Sequence, residues 1–361
     1  MKQLKSIILF TCAIIINSCS SETTNVVLKE PEIKLDKIDF LDKFREVDQL
    51  FASLSTVSQK FSVSSKMDTT IVGENGTKIS LVQDQLETIG GGSFEGLIEI
   101  ELLELMDIPS MLLQNAPTVS NGELLTTGGA YYLNMTSDGT QLKVKDGKGV
   151  KVEFPILTAD KMSVFSGERD RFGVLNWEST QEELTLKIAQ AKEPYIESAI
   201  VIEEDFEPEF EYDSIYREGI LSDEEAKIQL KAAKFQQKIY NWINVLNFGW
   251  INVDEFYKSR DPRSSIRLIV ENDSIESIRF YVVFEELQSF MGENYWKGRA
   301  KEVKFSNIPV NMNLQIIGVG VKKETPYIFQ TRVNSSTDKK IKVNLKATTL
   351  EEIRGILVNL K

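Results

Sequence analysis

Hydrophobic positions fall into three successive patterns along this chain. The first is a continuous run, Ile7 to Ile16, broken only by Thr11 and Cys12 and preceded by Lys2 and Lys5. It is too short to span a bilayer as a helix, which needs about 20 apolar residues. The second is a stripe: Phe40, Phe44, Val47, Phe51 and Leu54 recur at helical spacing. This predicts an amphipathic helix packed on the domain that follows. The third is alternation. Ile98, Ile100 and Leu102 alternate with Glu99 and Glu101, and Val150, Val152 and Phe154 with Lys151 and Glu153. Ile79 and Leu81 flank Ser80, and Leu142 and Val144 flank Lys143. A period of two reads as half-buried strands. Asn75-Gly76, Asn121-Gly122, Asp138-Gly139 and Asp146-Gly147 punctuate them as tight hairpin turns.

Alternation returns after residue 260. Ile266, Leu268 and Val270 predict one strand, and Ile278, Phe280 and Val282 a second across an Asn272-Asp273 turn. Runs at 314–321, 327–333 and 341–345 follow. Leu350, Ile353, Leu357 and Leu360 predict a closing helix, with Thr349 to Glu352 as its capping box. Between the two strand-rich regions, Ser222 to Glu225 is a second capping box. It opens a predicted long helix bearing Ile228, Ala232, Phe235, Ile239 and Trp242 on one face. Leu246 to Asp254 then reads as a hinge. The predicted fold is mainly β (α+β). Two antiparallel β-sandwich-like domains, 61–180 and 246–361, are joined by an acidic linker and an amphipathic helix at 181–245. Residues 1–18 form a leader, and 19–60 a tether plus the first helix.

Ile16-Asn17-Ser18-Cys19, at the end of a basic-then-apolar leader, resembles the lipobox of bacterial lipoproteins. The resemblance implies that Cys19 is diacylated and becomes the mature N-terminus, anchoring the protein in the cell envelope. The implied membrane is the outer one, with the protein on its periplasmic face or at the cell surface. Each buried acyl methylene contributes about 0.8 kcal/mol to such an anchor. The chain has two cysteines, and the other, Cys12, lies in the leader. Lipidation therefore accounts for a thiol that would otherwise stand unpaired. Ser20 to Pro31 reads as a polar tether.

A second resemblance lies in residues 60–180. Gly73-Glu-Asn-Gly76 before Thr77–Leu81, then Ile98–Leu102, then Ser120–Gly129 are similar to the β-sandwich of lipoproteins distantly related to the ZU5 domain. It implies an interaction or structural module and carries over no catalytic residue.

Composition narrows the chemistry. The net charge is −12, which disfavours nucleic acid. There is no histidine, so the usual Ser-His-Asp and Cys-His catalysis and the common zinc, copper and haem sites are excluded. We expect no cofactor, no metal and no enzyme activity. Gly90 to Gly92 and Gly128-Gly129 do not match a phosphate loop and read as turns or bulges. Arg169 and Arg171, beside Glu168 and Asp170, read as a solvated charged loop. Residues 193–213 hold nine acids and no base, a self-repelling linker whose alternative role is to hold a cation. The expected function is a membrane-anchored binding or structural module with an envelope protein or glycan partner. One alternative is a carbohydrate-binding lipoprotein using Trp250, Tyr295 and Trp296 as a stacking row. The other is a glycoside hydrolase built on two carboxylates.

Overall fold

A computed structural model describes residues 36–155, 162–188, 239–271, 274–298 and 301–360. The leader, Cys19, the tether, the acidic segment 193–213 and the capping box at Ser222 lie outside the described residues. From Asp36 onward the chain clusters as one unit, and it is mainly β with antiparallel sheets stacked in pairs.

The first sandwich is built from two sheets. One has the strand order β1 (Gln59–Ser64), β5 (Leu97–Leu105), β7 (Glu123–Ser137), β14 (Gly249–Phe256), β10 (Ser163–Arg169), β11 (Leu175–Glu183). The short strands β4 (Leu86–Thr88), β6 (Val119–Ser120) and β8 (Thr140–Val144) extend it at the sides. The other runs β12 (Thr185–Ile188), β13 (Ile239–Val245), β9 (Val150–Pro155), β3 (Lys78–Leu81), β2 (Thr69–Val72). Their inner faces meet in a core of Ile98, Ile100, Leu102, Leu133, Met135, Ile79, Val152, Phe154 and Val253. The predicted alternation at 98–102 and 150–154 is thus what faces this core. The turns at Asn121-Gly122 and Asp138-Gly139 each have both residues at positive φ, the conformation that two-residue hairpins demand.

The second sandwich pairs β18 (Glu302–Pro309), β15 (Arg263–Val270) and β21 (Lys339–Val343) with a five-stranded sheet. That sheet runs β17 (Ser289–Trp296), β16 (Ser277–Phe284), β19 (Asn313–Lys322), β20 (Thr325–Asn334), β22 (Lys346–Ala347). Two expectations are corrected here. The strands flanking Asn272-Asp273 do not form a hairpin, because β15 and β16 lie in different sheets and face each other through Leu268, Phe280 and Val282. And β15 pairs with β21 in parallel, so this sandwich is not wholly antiparallel.

A third core lies between the sandwiches. Leu103, Leu105, Leu125 and Trp177 come from the outer face of the first large sheet. Tyr281, Val283, Ile317 and Val319 come from the outer face of the five-stranded sheet. Three helices fill the layer: α1 (Asp36–Leu54), α2 (Ile108–Leu113) and α3 (Leu350–Val358). The sequence stripe explains α1, since Phe44, Val47 and Phe51 are all buried. Each contributes roughly 1.5–3 kcal/mol. α1 packs on the domain that follows, through α2, as expected, and also on β16 and β19, far along the chain. The capping box of α3 forms as predicted, with Thr349 accepting from the Glu352 N–H.

The largest departure concerns residues 239–256. Helical spacing predicts Ile239 and Trp242 on a helix and a hinge at Leu246–Asp254, but Ile239–Val245 and Gly249–Phe256 are strands of the first sandwich. Ile239–Val245 pairs with β9 and β12, and Gly249–Phe256 sits between β7 and β10. The helical spacing of Ile239 and Trp242 is outweighed by sheet partners on both sides.

The Gly73-Glu-Asn-Gly76 turn is held from below. Buried Glu104 accepts hydrogen bonds from Gln59 Nε2 (2.9 Å), the Asn75 N–H (2.9 Å) and the Thr77 N–H (3.0 Å). A Cβ on Gly73 would stand 2.6 Å from Glu104 Oε2, so the turn can approach the carboxylate only with glycine there. Glu104→Ala is expected to lower the stability read by urea denaturation by about 2–4 kcal/mol, because three donors lose their acceptor. A loss under about 0.5 kcal/mol would show that the turn does not depend on this carboxylate.

Candidate functional site

The C-terminal half of α1, its connection to β1, the end of α2 and the β10–β11 hairpin enclose a groove of about 450 Å³. Its floor is Arg279, on β16. The strand is buried on both faces, so a residue that alternation would place in solvent lies beneath α1 instead.

The Arg279 guanidinium is fully enclosed. Nε donates to Asp48 Oδ1 at 2.9 Å, and Nη2 donates to the same oxygen. Nη1 donates to Asn294 Oδ1 at 3.1 Å. The Phe44 ring lies 4.8 Å from its carbon, a cation–π contact worth about 0.5–2 kcal/mol. The neighbouring Tyr281 hydroxyl donates to Asn115 Oδ1 at 3.2 Å, and burial raises its pKa.

Arg169 forms the side wall. Its Nη1 donates to the Gly173 carbonyl at 2.7 Å, and its Nη2 to the Gln114 carbonyl at 3.0 Å. The second of these caps the end of α2, whose last carbonyls need donors. Asn115, just past the helix, takes the left-handed conformation common there. The guanidinium stands 4.8 Å from the Trp250 ring. Desolvation in the groove wall, then the nearby Arg279 charge, lowers the Arg169 pKa, while Asp48 acts in the opposite direction. Asp48 is the one acid lining the groove. Arg169 is exposed, as a solvated charged loop predicts, and it also serves as a structural cap and a groove wall. The stretch Ile278–Phe284 held the clue to Arg279: it is apolar on both alternating faces except at that position.

A second polar cluster lies inside the first sandwich. Asn252 Nδ2 donates to Asp254 Oδ2 at 2.6 Å, beside the bulge that shifts the β7–β14 register between Asn252 and Asp254. Asp254 is completely buried. Burial pushes its pKa up to about 8, against smaller lowering by Thr127, Asn252 and the Gly128 N–H. The hydroxyl of Tyr131 and Oδ1 of Asn252 lack hydrogen-bond partners among the described residues.

The three aromatic residues considered for stacking do not form an exposed row. Tyr295 is buried, and Trp250 and Trp296 are half-buried. Trp250 packs on Tyr132 (5.2 Å) and Trp177 (6.5 Å), and Trp296 stacks on Phe172 at 5.0 Å. Among the described residues no group of three acids, cysteines or histidines is placed to hold a metal. Nor is any described helix long and apolar enough to cross a membrane. Comparison with protein families, curated proteins and solved structures finds no match to this chain.

Proposed function

We propose that this protein is an exported lipoprotein, held to a membrane of the bacterial cell envelope by acyl chains on Cys19. There it acts as a non-enzymatic binding or structural module. The observation that carries this reading is the leader: Lys2 and Lys5, the apolar run Ile7 to Ile16, then Ile16-Asn17-Ser18-Cys19. A thiolate is the nucleophile that such acylation needs, and Cys19 has no cysteine beyond the leader to pair with. A rigid β scaffold with a lined groove supports the binding role, as does the likeness of residues 60–180 to interaction modules. The partner is an envelope protein or glycan, and nucleic acid is disfavoured by the net charge of −12.

The test is labelling of the full chain with radioactive palmitate in a bacterial host, together with mass spectrometry of the mature N-terminal peptide. The expected product begins at Cys19 and carries acyl mass, and Cys19→Ser abolishes both the label and membrane recovery. An unmodified Cys19 thiol in the mature wild-type protein overturns the anchor.

A further inference from the structure

We propose that the groove between α1 and the β10–β11 hairpin binds the oxyanion of a small acidic ligand, a carboxylate or a phosphoryl group, through Arg169 with Arg279 behind it. This gives a ligand class to the binding-module reading and rests on it.

The argument begins with charge pairing. Arg279 has a carboxylate partner, Asp48, and is closed off from solvent. Among the described residues Arg169 has no hydrogen-bonded carboxylate, and its guanidinium donates to carbonyl oxygens only, those of Gly173, Gln114 and Asn115. The adjacent Asp170 spends its Oδ1 on the N–H groups of Phe172 (2.8 Å) and Val174 (3.0 Å). Two guanidiniums line the groove against one lining carboxylate, Asp48, while Asp170 adds a smaller attraction to Arg169 from outside the lining, in a chain whose net charge is −12. A carbonyl satisfies a guanidinium's hydrogen bonds but does not neutralise its charge, so the groove retains a positive field that attracts anions.

Shape and surroundings fit the same occupant. Arg169 keeps contact with solvent, and its Nε donates to no acceptor among the described residues. The guanidinium is held against Trp250, and its Nε remains a donor for an incoming oxygen. Phe51 and Leu113 give the groove apolar walls, while Thr56 and Ser58 place hydroxyls along it. A volume of about 450 Å³ lies in the range of small-molecule sites. A cleft with apolar walls and one held guanidinium whose Nε has no acceptor among the described residues suits a small organic anion.

The test uses detergent-purified full-length protein. It is titrated with acetate, succinate and inorganic phosphate against sodium chloride of equal ionic strength, reading tryptophan fluorescence and Tm. Because Trp250 backs Arg169, occupancy is expected to change the fluorescence saturably, with a dissociation constant of roughly millimolar or below. Arg169→Gln is expected to weaken binding about tenfold or more, a step of about 1.4 kcal/mol. Thr56 is exposed, so Thr56→Asp leaves the packing intact, and the acid it introduces into the groove is expected to weaken binding to a similar extent. Should Arg169→Gln fail to fold, because α2 loses its cap, Thr56→Asp decides alone. Preference for acetate and succinate assigns a carboxylate ligand, and preference for phosphate assigns a phosphoryl group. The proposal is overturned by no saturable response to any of the three anions, or by equal affinity in wild type and Thr56→Asp. Acylation of Cys19 plays no part in this titration, so the two tests fail separately.

Discussion

Asp254→Asn is expected to stabilise the protein relative to wild type far more at pH 8 than at pH 5. The carboxyl of Asp254 has an ordinary value of 3.8 and stands at about 8 in the folded protein. Between those values the native chain keeps a proton that the unfolded chain has released. Stability contributed by this group is therefore full below pH 4, falls as pH rises, and reaches its minimum above pH 8. The slope across that window is about 1.4 kcal/mol per pH unit, so the accumulated cost at pH 8 is on the order of a few kcal/mol. Asn is neutral at every pH and can still accept from Asn252, so the variant lacks the slope. Urea midpoints of both proteins at pH 5 and pH 8 provide the measurement. A difference between them that does not change with pH would mean that Asp254 titrates as an ordinary surface acid.

Asp48→Ala is expected to cost about 2–4 kcal/mol by the same method. Removing one partner of a buried ion pair leaves the other charge uncompensated, typically at 3–5 kcal/mol. Here the Arg279 side chain is 2% exposed and Asp48 42%, so solvent screening of the acid puts the loss toward the lower end. Removing both charges separates pairing from packing. Arg279→Met in the Asp48→Ala background is expected to recover most of the loss, because a methionine stem can fill the space beneath Phe44 without a charge to bury. If the double variant is as unstable as Asp48→Ala, the damage lies in lost packing of the arginine stem.

Local features of this fold were readable because their causes are local. The positive φ of Asn121-Gly122 and Asp138-Gly139, the reciprocal bonds of Thr349 and Glu352, and the stripe of α1 each depend on residues within a few positions. Strand identity at 98–102 was readable because one face is buried and the other largely wet, and at 150–154 because charged residues alternate with the core face even though Glu153 is itself buried. What could not be read depends on distant partners. Ile239–Val245 becomes a strand because β9 and β12 flank it, and nothing inside the segment announces them. Alternation assigns Arg279 to solvent, and it is the arrival of α1, more than 200 positions earlier in the chain, that encloses it. The groove shares this origin. Its residues come from four separate stretches, and Arg169 looks like any charged loop residue until the end of α2 is set against it.

Where β14 comes from has a consequence for how the molecule is made. Leu125 and Leu133 of β7 must wait for Phe256 and Gly249 before that edge is closed. A chain emerging from a ribosome or a membrane pore holds an unfinished first half until its later residues arrive. Ordering so long a span costs loop entropy before any contact is gained. In that interval the open margins of β7 and β10 are sites for mispairing with other copies. Truncation before residue 249 is thus expected to leave the margins of β7 and β10 open to mispairing.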